Sequence, residues 1–204
     1  MSPRGQERNE KMRAIAKTKI TKAALEVFAE YGYHGTTIKQ IVQSSGVSKG
    51  LVYHYFPSKE RIFFHLIELA LEVSKKAWIK SLDTPGTAWQ KIEKLSQILF
   101  KTAFTDENSL YFVVMLQAIT QGKSIPGLFE YIMMHGAHYG LLPPLIHKAQ
   151  KSGEARQGDP DVLSSTYLAV FQGYTLLLLH DKDLHTKITP ETFTDVLRNR
   201  GRNK

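Results

Sequence analysis

The stretch TTIKQIVQSSGVSKGLVYHYFPSKE, Thr36 to Glu60, decides how this chain is read. Ile38, Ile41 and Val42 recur at helical spacing and give a first short helix, Thr37 to Ser44, one apolar face. Ser45-Gly46-Val47 then turns the chain, with glycine where the turn is sharpest. Val47, Leu51 and Val52 can pack a second helix, Ser48 to Tyr55, against the first, which leaves Ser48, Lys49, Gly50, Tyr53 and His54 facing outward. An apolar inside that holds the angle and a polar, small or aromatic outside are the two requirements of a helix-turn-helix entering a major groove. Lys49 can donate to guanine edges, Gly50 lets the backbone come close, and Tyr53 offers a ring to thymine methyls and a hydroxyl to phosphate. Thr37 at a helix start, with His54, Tyr55 and Lys59, suits phosphate contact.

On the N-terminal side, the first dozen residues are polar and read as a mobile arm. A helix follows from about Met12 to Tyr31, with Ile20, Ala24, Val27, Phe28 and Tyr31 along one face and Gly32 ending it. On the C-terminal side, Pro57-Ser58 opens a long amphipathic helix to about Leu82, capped by Ser58 with Glu60 in its first turn. Thr84-Pro85-Gly86 breaks the chain, and Thr87 caps a helix to about Phe104. Further helices are expected over Leu110 to Gln121, over Gly127 to Ser152 with a bend at Pro143-Pro144, after Asp159-Pro160, and after Thr189-Pro190-Glu191. With almost no strand signal, the pattern predicts an all-α chain of about nine helices. It divides into a head (1–57), comprising the N-terminal arm and helix-turn-helix, and a larger C-terminal body (58–204).

Composition narrows the classes. The 204 residues carry a formal net charge of +8, and residues 1 to 60 hold ten Lys/Arg against five Asp/Glu. Most of the positive excess therefore sits at the head, where attraction to phosphate backbones would be useful. The absence of cysteine excludes disulfides, thiolate metal sites and a cysteine nucleophile, and fits a reducing compartment. The opening residues lack the apolar run of a signal peptide, so a cytoplasmic protein is expected. No phosphate-cradling or dinucleotide-binding glycine loop is present, and no Ser-His-Asp set can be argued from residue order. His135/His138 and His180/His185 lack the spacing and acidic companion of a metal site. The chain reads as a non-enzyme without metal or cofactor.

The run AALEVFAEYGYHGTTIKQIVQSSGVSKGLVYHYFPSKERIF, Ala23 to Phe63, resembles the N-terminal domain of TetR-type transcriptional regulators. The matching features are Phe28-Ala29-Glu30-Tyr31-Gly32-Tyr33, Thr36-Thr37, Gly46-Val47-Ser48, and Tyr53-His54-Tyr55-Phe56 followed by Ser58-Lys59-Glu60. The resemblance implies an all-helical homodimer that binds a palindromic DNA operator, with a C-terminal regulatory domain. It places Lys49, Gly50 and Tyr53 at base-contact positions and Thr37, Ser48, His54, Tyr55 and Lys59 at phosphate-contact positions.

Beyond Leu82 two features stand out. Asp161 to Leu179 is densely apolar, but Ser164, Ser165, Thr166, Gln172 and Thr175 interrupt it, which argues for a buried helix over a membrane span. By the resemblance this would be the penultimate helix, forming a four-helix dimer interface with the last helix. Thr166, Tyr167, Val170, Gly173, Tyr174 and Leu177 are its expected contacts. The middle of the chain is rich in aromatics and methionine, and Trp89, Phe104, Phe112, Met115, Met133, His138, Tyr139 and Phe171 could surround a small hydrophobic effector. Gln117 could add a polar contact. The same residues also suit an ordinary core, and the alternatives to a ligand-released repressor are a constitutive, architectural DNA-binding protein or an apolar-ligand carrier or enzyme.

Overall fold

The structure, a computed structural model, describes residues 3–104, 108–121, 125–177, 183 and 186–201, with side chains from Lys11 onward save those of residues 137 and 138. Its elements are α1 (Pro3–Gly35), α2 (Ile38–Ser45), α3 (Lys49–Tyr55), α4 (Lys59–Leu82), α5 (Ala88–Phe104), α6 (Ser109–Gln121), α7 (Leu128–His135), a 3-10 turn (Ala137–Leu141), α8 (Leu142–Lys151), α9 (Pro160–Leu177) and α10 (Pro190–Thr194). The fold is all-α; among the described residues the one β-type pairing is an isolated bridge between Ala155 and Arg198.

Local chemistry sets most boundaries. Thr37 caps α2 reciprocally: its Oγ1 accepts the Gln40 amide, while the Gln40 side chain accepts the Thr37 amide at 2.7 Å. Ser48 and Ser58 accept from Leu51 and Arg61 at the starts of α3 and α4. Asp159 Oδ1 accepts from Asp161 and Val162 at the start of α9. Gly46, in the left-handed region at φ 66°, closes α2 and turns the chain into α3.

Three expectations need correction. The first helix starts at Pro3, well before the expected Met12, so the polar arm is itself helical in backbone. Gly32 breaks this helix as expected, at φ 69° and ψ 175°, where a side chain would be strained, but one further turn follows it. The helix expected over 127–152 is interrupted at Gly136 to Leu141 and not at the prolines. Pro143 and Pro144 instead occupy the first turn of α8, where a missing amide proton leaves no hydrogen bond unmade. The last helix is short, Pro190–Thr194. Phe193 and Leu197 are buried, and Arg156 donates its amide to the Leu197 carbonyl at 2.8 Å, which docks this segment onto its own chain.

Two apolar clusters fill the interior. One joins α1, α2 and α3 to the first half of α4, the C-terminal part of α6, and α7, around Phe28, Ile41, Phe63 and Leu66. The other joins the end of α4 to α5, α8, α9 and α10 around Trp78, Leu95, Tyr167 and Phe193. The head therefore shares its core with the body through α4 and α6.

One polar junction fixes the head on α4. The Lys59 ammonium donates to the carbonyls of Tyr33 (2.8 Å) and Thr36 (3.1 Å) and lies 4.5 Å from the Tyr33 ring centroid. Tyr33 donates its hydroxyl to Glu60 at 2.8 Å, and the buried Thr36 hydroxyl donates back to Gly32 at 2.7 Å. Hydrogen bonds from Ser58, from the helix backbone and from Tyr33 hold the Glu60 carboxyl at about 2, well below its ordinary 4.5. A depressed carboxylate contributes stability that is complete above the ordinary value and is lost as pH falls from 4.5 through 2. Glu60→Gln should therefore lower the urea midpoint at pH 7 and much less at pH 2; an equal deficit at both would show that the charge contributes nothing.

Candidate nucleic-acid interface and effector cleft

The outward face of α3 carries the side chains that sequence placed there. Ser48, Lys49, Gly50, Tyr53 and His54 are all exposed, while Val52 is fully buried and Leu51 half-buried beneath them. Lys49 Nζ lies 5.9 Å from the centre of the Tyr53 ring one helical turn away, so a cation and an aromatic ring stand together on the same edge. Gly50 has an ordinary helical conformation, and a Cβ built there would meet nothing within 4 Å. The protein's own packing gives no reason for glycine, which costs a helix interior about 1 kcal/mol relative to alanine. A bare backbone at this point does allow a second molecule to come close.

Thr37 sits exposed at the start of α2, beside amides at the positive end of the helix. Two of the expected phosphate contacts are engaged elsewhere. Lys59 spends two hydrogen bonds on Tyr33 and Thr36, so it positions the head even where one proton is left for a phosphate. Tyr55 turns its ring into the core, and its hydroxyl is covered by protein without a hydrogen-bond partner, out of reach of a phosphate in this conformation. Two residues along a helix turn it by about 200°, so Tyr55 stands opposite Tyr53 and three residues on from the buried Val52.

In the body, Phe112, Met115, Leu116 and Ile119 of α6 face Leu168, Phe171, Gln172 and Thr175 of α9 across a cleft closed by Ser74, Leu99 and Tyr139. Its polar groups are few. Ser74 donates to the Tyr139 hydroxyl at 3.3 Å, and burial pushes the Tyr139 phenol up. The free volume is about 40 Å³, room for a water or two and not for an effector. Phe112, Met115, Tyr139 and Phe171, all expected from sequence, meet here.

The remaining four expected ligand contacts do not. Trp89 is buried at the start of α5, away from the cleft's Leu99, donates to Glu93 at 2.7 Å, and is covered by the Arg198 guanidinium at 5.1 Å. Phe104 packs on Phe100, Phe171 and Phe193, behind the cleft wall. Met133 is exposed on α7, and the His138 side chain lies outside the described residues, as do His180 and His185. Sequence reasoning missed Leu116 and Ile119, whose place is visible only once α6 is set against α9. Gln117, expected at a ligand, instead donates to the Ala29 carbonyl of α1 at 3.2 Å and ties α6 to the head.

The expected dimer contacts also divide. Gly173 and Leu177 are exposed and Thr166, Val170 and Tyr174 half-buried, but Tyr167 is fully enclosed by its own chain, with its hydroxyl 2.8 Å from that of Ser96. No described helix is long and apolar enough to cross a membrane.

Residues 20–66 match the family model of bacterial regulatory proteins, tetR family. The transcriptional regulator RutR of Escherichia coli strain K12 is 40% identical over 63 residues, 30% of this chain and 30% of that protein, so that likeness is confined to a fraction of each. The fatty acid metabolism regulator protein of Bacillus subtilis is 26% identical over 139 residues, covering 68% of this chain and 70% of that one. The solved structure of the TetR-family regulator PfmR from Thermus thermophilus superposes with a TM-score of 0.71 at 24% identity, over 90% of this chain and 99% of that one. Residues 20–66 thus match the helix-turn-helix of TetR-family transcriptional regulators, and the helical fold that continues from it is similar to that of a TetR-family protein.

Proposed function

We propose that the protein is a transcriptional repressor that binds a palindromic operator as a homodimer and leaves it when a small hydrophobic molecule enters the body. In this reading residues 1–57 are the reading head and 58–204 the regulatory and dimerisation body. The observation that carries the DNA half is the exposed edge of α3, where Lys49, Gly50 and Tyr53 stand together over a packed apolar underside. Base contacts come from Lys49 and Tyr53. Phosphate contacts come from Thr37, Ser48 and His54.

The effector half rests on α6. One helix lines the cleft through Phe112, Met115, Leu116 and Ile119, and reaches the head through Gln117. An effector larger than the present cleft must push α6 and α9 apart, and displacement of α6 carries α1 with it. Ligand weakens operator binding only to the extent that it prefers the displaced arrangement. The largely apolar lining, with Ser74, Tyr139, Gln172 and Thr175 as its polar groups, suits an acyl chain or a planar apolar molecule, and a relative named for fatty acid metabolism accords with that chemistry. Dimerisation falls to α9, whose exposed side presents Val162, Ala169, Gly173, Leu176 and Leu177, small or apolar positions that let a second helix approach.

Three measurements test this. Lys49→Ala combined with Tyr53→Ala should weaken binding to an operator selected in vitro by about 100-fold, taking roughly 1–3 kcal/mol per base contact, with melting unchanged; undiminished binding would sink the reading head. Gly50→Ala should raise α3 stability, by up to about 1 kcal/mol, while weakening the operator complex, and an increase in both would remove the close-approach argument. Gln117→Leu should keep operator affinity yet reduce effector-driven release by about tenfold, a coupling loss of about 1.4 kcal/mol. Unaltered release would place the coupling elsewhere.

A further inference from the structure

A larger cleft, of about 760 Å³, opens between α1, the middle of α4 and the start of α6, away from the α6–α9 cleft. Small side chains of α1, Ala14, Thr18 and Thr21, line part of it and leave room between the helices. Leu25, Leu69, Leu110 and Tyr111 form its apolar lining. Among the described lining residues, Lys17 and Lys22 stand on the α1 side with one carboxylate, Glu26, and the imidazole of His65 on the α4 side is already paired with Glu68 at 3.3 Å. The full charges of the described lining residues therefore leave a positive excess beside an apolar surface. The volume falls within the roughly 300–1,000 Å³ range of small-molecule sites.

We propose that this cleft binds a small anionic amphiphile, a carboxylate carrying an apolar chain. The carboxylate pairs with Lys17 and Lys22, and the chain lies on Leu25, Leu69 and Tyr111. The site adjoins the reading head directly. Lys17 Nζ lies 5.8 Å from the centre of the Phe56 ring, the His65 ring lies tilted against the same ring at 5.4 Å, and Phe56 closes the C-terminal end of α3. Two walls of the cleft thus meet on the residue that ends the recognition helix. This site is separate from the effector cleft proposed above and does not depend on it.

Because the chain has no cysteine, Thr18→Cys places its only thiol in the cleft. Dodecanoate, kept below its micelle-forming concentration, should slow alkylation of that thiol by N-ethylmaleimide about tenfold when it is present at roughly nine times its dissociation constant. Adding Lys17→Gln and Lys22→Gln should abolish most of the protection. Ile119→Trp, which fills the α6–α9 cleft instead, should leave it intact. An alkylation rate indifferent to dodecanoate would overturn the proposal. So would protection that survives loss of both lysines, protection lost on Ile119→Trp, or equal protection of a thiol at Met134→Cys on the exposed face of α7.

Discussion

A helix that is apolar around most of its circumference must be covered on several sides at once, and α6 is that helix. Val113, Val114, Met115 and Ala118 are buried, Phe112 and Leu116 half-buried, and only at Ile119 and Thr120 does the helix come out to solvent. Covering it requires α1, α4, α5 and α9 together. Head and body consequently share one apolar cluster and cannot shift independently. The α6–α9 cleft is what is left where this coverage is incomplete, and the Gln117–Ala29 hydrogen bond lies on the same helix.

The second constraint is electrostatic. Lys59 brings a full charge to two carbonyls at the α1–α2 turn, and Tyr33 joins that turn to Glu60 at the start of α4. Charge-assisted bonds of this kind are short and directional, so they set the angle between the turn and α4 more tightly than apolar packing alone would. Helix α3 hangs from this frame, with Phe56 between Lys17 and His65. A residue that resembles a phosphate contact by position is here occupied with holding the head in place.

Much of the fold was legible in order. The caps at Thr37, Ser48, Ser58, Thr87 and Asp159 announce helix starts, because a short polar side chain followed by a helical apolar pattern satisfies amides that nothing else can. The exposed edge of α3 was equally legible, since inside and outside alternate on a single short helix. The break before α8 was not, because Pro143-Pro144 reads as an interruption and is in fact a first turn. Tyr53 and Tyr55 carry the same side chain two residues apart, on opposite sides of α3; one faces out and the other is covered.

The sequence by itself determined an all-α chain, a helix-turn-helix at Thr36 to Lys59 and the identity of the side chains on its outer face. Each of these depends on neighbours within one or two helical turns. Only the tertiary structure decided that Phe112, Met115, Tyr139 and Phe171 share a cleft while Trp89, Phe104 and Met133 do not, and that Gln117 reaches α1. It also decided that Tyr167 is enclosed by its own chain and that a second cleft opens beside small residues on α1. Those outcomes follow from which helices pack together. Apolar burial is non-directional, so an aromatic side chain in the sequence states that it will be buried but not against what.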